Sequence, residues 1–426
     1  MARQETRTSQ VWLLFFYGFG NAATYSIART IADSTYLSRI GTERLPEVYL
    51  LSAGIVALAA LIHAGSSRRI GLRSTIVGTL VGFSVVSALL AFFMNRAPDS
   101  LAVLTIGYFL AQIRGSLGTI HFATVLNEQF SKRGAKRFVG VIGAGATIAG
   151  FTSGCMLGVL SDYWSVENFL YLVAVLDILT TIPFLLLRKL FPNALPSTTE
   201  HPVERPKEAQ SILGWSRQVE DTESRLVWML ASVVLLCIVA VTLVEFQWKV
   251  AAAEQWSGDV VGMTKYFGFF YGTLYLVTGL LQLTLTAWLL KGRRIMFAVA
   301  ALPTFLILGS ASAIATASQF SLFIALNVCK FGDALRRSLH DHAVQVAYFP
   351  LPKTIRRDAI SFVSGVVKPL AEALAAAAVV LLSPALSAKS FLLVASIVCL
   401  IWLFVSQILW RKAPTPHPGG ENRQPR

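Results

Sequence analysis

Ionisable side chains interrupt the apolar stretches of this 426-residue chain at a few positions. The cations among them include Arg29, Arg114, Lys330 and Lys368. A charged side chain in hydrocarbon surroundings costs about 2.5–3.5 kcal/mol on insertion scales, so one that persists there usually faces a cavity or a partner. Because an anion leaves water only where cations replace its hydration, these cations predict the binding of an anionic solute.

Acidic side chains accompany two of the cations at helical spacing. Asp333 follows Lys330 by three residues and Glu372 follows Lys368 by four, so each pair can lie on one helix face. Each pair can therefore form a local ion pair, which is the alternative to contact with a solute. Arg114 has no acidic residue within four positions, so its partner must come from outside its own helix. We consider Arg114 the strongest cavity candidate.

Four further acidic residues lie inside the apolar stretches or near their ends: Asp33, Glu128, Asp177 and Glu245. Asp33, Asp177 and Glu372 are candidates for coupling to protons. The run His340-Asp341-His342 is not a convincing metal site, because three adjacent residues of one helix do not converge on one ion. Since no nucleophile–base constellation accompanies them, we expect no metal, no cofactor and no enzymatic reaction.

Apolar stretches of about twenty residues position these side chains, and that length crosses a bilayer core of about 30 Å. The chain is 54% hydrophobic and 14% charged, with a mean hydropathy of +0.60. Soluble domains carry about a quarter charged residues. The pattern predicts an all-α membrane protein with about twelve transmembrane helices. The predicted spans are 11–29, 47–65, 74–94, 102–128, 138–160, 166–188, 225–247, 264–290, 295–315, 317–340, 358–382 and 389–410.

The basic residues fall in every second loop. With the N-terminus inside, the inner loops hold about 27 Lys and Arg and the outer loops about seven, as expected when basic loops are retained in the cytoplasm. This asymmetry explains the net charge of +14 without a nucleic-acid partner. We expect both termini to be cytoplasmic and the membrane to be the bacterial inner membrane.

A polar, Pro-containing segment at 189–224 divides the chain. It separates an N-terminal six-helix bundle at 1–188 from a C-terminal one at 225–410, and a disordered tail follows at 411–426. Two such repeats predict a major-facilitator-like transporter that exposes a central site to each side in turn. In the fifth span, the glycines between Gly140 and Gly154 predict close helix packing rather than a dinucleotide loop, because no strand precedes them.

Several segments resemble the bacterial and plastid ATP/ADP translocase family. They are Arg29–Thr35 with Leu45–Leu51, Asn127–Phe130 with Ala135–Gly145, Val244–Lys249 with Tyr266–Tyr271 and Leu281–Leu283, and Arg336–Asp341 with Ala347–Pro352. The resemblance implies exchange of ATP for ADP that depends on two acidic and two basic membrane residues.

The acidic pair maps onto Glu128 and Glu245, and the later basic position onto Arg336. The first basic position falls near Ala32, where Arg29, one turn earlier, is the substitute. The eleventh span also departs from the family, since Lys368-Pro369 precedes its acid where an Arg is expected beside it.

These patterns favour a carrier that exchanges ATP and ADP or a related small anionic solute. The five cations Arg29, Arg114, Lys330, Arg336 and Lys368 would supply the field, and Tyr25 and Phe122 could stack on a base. The alternative is a major-facilitator-type transporter of another solute, coupled to protons. A third interpretation, a membrane sensor or scaffold that transports nothing, would leave the charges paired at packed helix interfaces.

Overall fold

The computed structural model describes residues 2–129, 132–191, 221–286, 295–348, 350–351 and 353–412, and all regular structure in these ranges is helical. The α-helices are α1 (Ala2–Arg39), α2 (Leu45–Ile70), α3 (Leu72–Arg96), α4 (Leu101–Gln129), α5 (Lys132–Leu160), α6 (Phe169–Leu190), α7 (Asp221–Gln255), α8 (Val260–Leu281), α9 (Ile295–Ile314), α10 (Gln319–Lys330), α11 (Gly332–Leu335), α12 (Asp341–Ala347), α13 (Lys353–Phe362), α14 (Lys368–Leu382) and α15 (Ala388–Lys412).

Ten helical segments of the described residues are long and apolar enough to cross a membrane. The two remaining predicted spans lie in α1 and in the stretch that begins with α10. Large apolar side chains are exposed along these helices, including Leu61 at 71% and Leu381 at 74%. Lipid is the natural solvent for such a surface. The prediction of an all-α membrane protein is confirmed.

Helix α1 continues ten residues beyond its predicted span because its polar residues bond to their own backbone. The hydroxyls of Thr30, Thr35 and Ser38 each donate to the carbonyl four residues earlier, at 2.9, 2.7 and 2.6 Å. These side chains are buried without leaving a donor unpaired. Hydropathy therefore ends the span too early.

The predicted span 264–290 contains a π-helical turn at Gln282–Thr286. Two later predicted spans, 317–340 and 358–382, are also interrupted by π-helical turns. The first of these two turns is Arg336–His340 and the second is Val363–Val367. Pro369 accounts for the second, since proline offers no N–H and its ring clashes with the carbonyl four residues earlier. The wider turn accommodates that missing hydrogen bond.

The chain forms two compact units. The first contains Met1–Arg205 and Trp248–Leu280, and the second contains Pro206–Gln247 and Leu281–Arg426. In the first unit α1 packs against α4, α5 and α6. Its core includes Leu14, Tyr17 and Ile142. In the second unit α9 packs against α10 and α15.

Three glycines of α5, Gly150, Gly154 and Gly158, pack closely against α8 within the first unit. Close packing is what the glycines of this span predicted. A Cβ on Gly154 would meet the backbone of Gly268 and Gly272, and one on Gly158 would meet the Phe269 ring. At Gly154 the two backbones approach each other closely because neither helix carries a side chain there.

Candidate functional site

Asp33 lies at the centre of a buried polar cluster in the first unit. Its Oδ1 accepts a hydrogen bond from Lys249 Nζ at 2.7 Å, and its Oδ2 accepts one from Tyr271 Oη at 2.9 Å. Arg29 Nε lies 3.6 Å from the same Oδ2. The side chains of Asp33 and Lys249 are only 1% and 0% exposed. We call these residues the Asp33 cluster.

Aromatic rings enclose Lys249. Its Nζ donates to Tyr108 Oη at 2.9 Å and lies 5.2 Å from the Tyr108 ring centroid and 5.3 Å from that of Tyr49. An aromatic face attracts a cation, and the attraction strengthens where water is excluded. The ammonium group is thus compensated by the Asp33 carboxylate and the Tyr108 hydroxyl, with the Tyr49 ring nearby.

Arg29 has a similar environment at lower burial. Its guanidinium carbon lies 4.8 Å from the Tyr271 ring centroid, and its Nη1 donates to Tyr25 Oη at 3.2 Å. Tyr25, proposed from the sequence as a stacking residue, therefore contacts a cation. The second such residue, Phe122, stacks on Tyr17 with 6.5 Å between centroids.

The Asp33 cluster joins the C-terminal part of α1 to the C-terminal part of α7 and to the middle of α8. Two neighbouring contacts extend the junction: Thr264 Oγ1 donates to Ser34 Oγ at 2.8 Å, and the Gly258 N–H donates to the Ser38 carbonyl at 3.2 Å. Four hydrogen bonds therefore join the last turns of α1 to α7, to α8 and to the connection between them.

A second ionic cluster lies in the second unit around Lys330. Its Nζ donates to Glu245 Oε2 at 2.9 Å and to Asp333 Oδ2 at 2.7 Å. Arg336 Nε lies 3.6 Å from Asp333 Oδ1. The Lys330 side chain is 2% exposed, whereas Glu245 and Arg336 are 20% and 28% exposed. The three-residue spacing of Lys330 and Asp333 predicted their contact. We call these two residues, together with Glu245 and Arg336, the Lys330 cluster.

Arg114 is held inside the first unit. Its Nη1 donates to Asp177 Oδ1 at 2.5 Å and its Nη2 to Ser87 Oγ at 3.0 Å, and its guanidinium carbon lies 4.6 Å from the Phe83 ring centroid. Both ionic side chains are at most 3% exposed. The partner does come from another helix, α6. The pairing favours a structural role over the predicted contact with a cavity.

The other predicted site residues are Lys368, Glu372 and Glu128. Lys368 and Glu372 are both exposed at the start of α14, and among the described side chains they join neither cluster. Glu128 belongs to α4, but its side chain lies outside the described residues.

Lys249 is a residue of the Asp33 cluster that was not predicted from the sequence. The predicted seventh span ends at residue 247, whereas α7 continues to Gln255 with Trp248 and Lys249 fully buried. A signal was available, since Lys249 follows Glu245 by four residues in a segment that belongs to the family resemblance.

A buried histidine pair was missed as well. His121 Nε2 and His63 Nδ1 are 3.3 Å apart, and the residues are 0% and 8% exposed. Their separation along the chain, 58 residues, gives no local pattern from which to predict the contact.

Comparison with known proteins decides the family. Residues 102–412 match the family model of the TLC ATP/ADP transporter. The chain belongs to this family. No curated protein sequence matches it significantly.

Solved structures of transporters share the fold of this TLC-family chain. A peptide transporter POT in complex with sulfate has a TM-score of 0.67 at 14% identity, with 95% of each chain covered. The nucleoside transporter NupG has a TM-score of 0.67 at 12% identity, covering 94% of this chain and 100% of its own. A bacterial homologue of the iron transporter ferroportin in an inward-facing state has a TM-score of 0.64 at 14% identity, with 95% and 98% covered.

At these identities the likeness concerns the fold alone, which is major-facilitator-like. Family and fold together identify a multi-pass membrane transporter that resembles the ATP/ADP translocases. This family and this fold are those of a transporter rather than of an enzyme. The predictions of family, fold class and transport are confirmed.

Proposed function

We propose that this TLC-family transporter exchanges ATP and ADP, or a related phosphate-bearing anion, by alternating access. The observation that carries the proposal is Lys330, a buried cation held by two carboxylates, one of which is the Glu245 that the family resemblance singles out. Arg336, the second position from that resemblance, belongs to the same cluster. Phosphate oxygens are strong acceptors for both cations.

The Lys330 cluster gives a physical reason for exchange rather than net flow. An arriving phosphate group replaces Glu245 and Asp333 as the partner of Lys330 and Arg336. When the solute leaves, the carboxylates recover these cations, because an unpaired buried charge is strongly unfavourable. The empty site is thereby held in its paired arrangement until the next anion arrives.

The Asp33 cluster has a different role in this proposal. It holds α1 against α7 and α8 in one access state, at the end that the basic loops place outside. Release of this junction is the step that opens that end. Arg29 contributes to the junction and, as the basic residue nearest Ala32, is also a candidate for contact with the solute.

Three residues enter the proposal on sequence grounds. Glu128 comes from the family resemblance, and Lys368 and Glu372 come from their charge within a predicted span. We further propose the inner membrane of a bacterium, cytoplasmic termini, and two six-helix bundles at 1–188 and 225–410, with 189–224 as the linker and 411–426 as a tail. The bilayer and a small anionic solute are the proposed partners.

Counterflow of labelled ATP into proteoliposomes loaded with ADP tests the exchange. We expect Lys330→Met to reduce counterflow on the order of tens-fold, since a hydrogen bond to a charged group is worth about 1.5–3 kcal/mol. Lys330→Arg should retain part of the activity because it keeps the charge. Lys265→Met is the matched control, because it also removes a lysine that forms an ion pair. Lys265 belongs to α8, pairs with Asp162 within the first unit and is 37% exposed.

The same assay separates the alternatives. Nucleotide exchange is overturned if the wild-type protein shows no ATP counterflow or if Lys330→Met exchanges like Lys265→Met. Uptake of another solute that is abolished by a protonophore and indifferent to ATP would assign proton-coupled transport, with Asp33, Asp177 or Glu372 as the coupling residue. A thermal-shift screen over nucleotides and organic acids would then identify the solute.

A further inference from the structure

A cavity between the ends of α3 and α6 has no part in the proposed exchange. It has a volume of about 450 Å³ and is lined by Arg73, Leu185, Leu186, Arg188 and Lys189. Arg73 belongs to the first turn of α3, and Arg188 and Lys189 belong to the last turn of α6. We call it the α3–α6 cavity.

The charges of the three cations of the α3–α6 cavity lack a compensating carboxylate among the described residues. Within the described part of the chain, none of Arg73, Arg188 and Lys189 forms an ion pair. The helix dipole explains two of them, because cations are favourable in the last turn of a helix. It does not explain Arg73, which lies in a first turn, where anions are favoured. An anion in the cavity would compensate all three.

Apolar side chains form the rest of the wall. In the last turns of α6, Phe184 and Leu187 point into the core, whereas Leu185 and Leu186 line the cavity. Beside them, Leu186 is 40% exposed and Leu190 is 57% exposed. The cavity therefore adjoins an apolar outer surface that faces acyl chains in a membrane. A free inorganic anion gains nothing from contact with an apolar wall, whereas the acyl chain of an amphiphile is stabilised by it.

The cations also lie at the depth of lipid headgroups. The candidate membrane spans Leu72–Arg96 and Val166–Leu190 begin and end at this cavity. Basic pockets between transmembrane helices are suited to anionic headgroups. We propose that the α3–α6 cavity binds an anionic phospholipid, with its phosphate against Arg73, Arg188 and Lys189 and an acyl chain along Leu185 and Leu186.

Thermal unfolding of the full-length protein in detergent tests the lipid site. Titration with phosphatidylglycerol should raise the unfolding midpoint of the wild type, whereas phosphatidylcholine and sodium phosphate should not. In Arg73→Gln/Arg188→Gln/Lys189→Gln, the concentration that gives half the shift should rise on the order of 10- to 100-fold, as expected for three cations near an anionic headgroup.

A control variant removes the same charge elsewhere. Arg44, Arg96 and Arg225 are exposed and do not line the cavity, so Arg44→Gln/Arg96→Gln/Arg225→Gln should respond to phosphatidylglycerol like the wild type. A measurement on the wild type alone is independent of both variants. There, raising the salt concentration should weaken the response, because the contact is ionic.

Three results would overturn the lipid site. They are an unchanged titration in the cavity variant, an equal loss in the control variant, and a wild-type response that ignores salt. Stabilisation by sodium phosphate alone would assign the cavity to a free anion and would equally contradict the proposal. Because the assay measures unfolding and not transport, its outcome is independent of nucleotide exchange.

Discussion

Among the described residues, the buried cations Arg114, Lys249 and Lys330 are each held by a carboxylate from another helix. Arg114 on α4 pairs with Asp177 on α6, and Lys249 on α7 pairs with Asp33 on α1. Such pairs are costly to break, because removal of one partner leaves an uncompensated charge that costs about 3–5 kcal/mol. Replacement of both partners by apolar side chains is often neutral. Apolar replacement of both partners should therefore be tolerated at a structural pair, whereas it should abolish transport at a pair that contacts the solute.

We predict that Asp177→Asn lowers the stability of the protein by about 3 kcal/mol, whereas Arg114→Met/Asp177→Leu recovers most of it. Thermal unfolding in detergent measures both, and ATP counterflow is measured on the same preparations. If Arg114 is structural, the double variant also recovers exchange. A double variant that is stable but inactive would instead place Arg114 in the solute path, as its position in the sequence suggested.

The individual charges were predictable from the sequence to the extent that they interrupt apolar stretches. Arg114, Asp177 and Lys330 stand out for that reason, and the three-residue spacing correctly joins Lys330 to Asp333. Partners on distant helices were not predictable, because the pairing of Asp33 with Lys249 spans 216 positions. Hydropathy also conceals a charge such as Lys249 when it lies beyond the predicted end of a span.

At the scale of elements, the contacts of α1 with α7 and α8 form one junction. Its centre is one carboxylate, Asp33, whose two oxygens serve Lys249 and Tyr271. Loss of that carboxylate removes charge-assisted hydrogen bonds worth about 1.5–3 kcal/mol each. The end of α1 should then separate from its neighbours more often.

We therefore predict that Asp33→Asn increases the rate at which a membrane-impermeant maleimide labels a cysteine placed at Ser38, on the order of tenfold. Ser38 is 8% exposed and its carbonyl contacts Gly258, so labelling reports opening of the junction. The reference is Ser38→Cys alone, and Asp162→Asn/Ser38→Cys controls for loss of an exposed ion pair. Equal labelling of all three proteins would contradict a junction held by Asp33.

The close approach of α5 and α8 gives a second prediction at this scale. Gly154→Ala should destabilise the protein by about 1–3 kcal/mol, the usual cost of overpacking. Its Cβ would meet backbone atoms of α8, which have no rotamer with which to move away. Thermal unfolding provides the measurement, and counterflow shows whether movement of α5 against α8 is also affected.

Gly143→Ala is the matched control for Gly154→Ala. It lies on the same helix and gains the same helix propensity, but a Cβ there meets nothing within 4 Å. We expect it to be as stable as the wild type or slightly more so. Equal effects at the two glycines would show that the contact with α8 does not limit stability.

At the scale of the whole molecule, apolar stretches of spanning length predict most of the architecture. A run of about twenty apolar residues has few alternatives to a spanning helix, because lipid leaves backbone groups no external partner. Ten helical segments of the described chain satisfy that requirement. The interior breaks were not predicted, since the π-helical turns Arg336–His340 and Val363–Val367 lie inside helices and no local hydropathy change marks both of them.

Charge asymmetry between the loops predicts the orientation, with the end that carries the Asp33 cluster outside. Cysteines in two connections test it: Asp99→Cys between α3 and α4, and Arg69→Cys at the end of α2. Both positions are exposed. In intact bacterial cells an impermeant maleimide should label Asp99→Cys and spare Arg69→Cys, because basic loops stay in the cytoplasm. Permeabilised cells should label both. The native cysteines are buried or half-buried, so the wild type gives the background. The reverse pattern would put the termini outside and assign the Asp33 cluster to the cytoplasmic end.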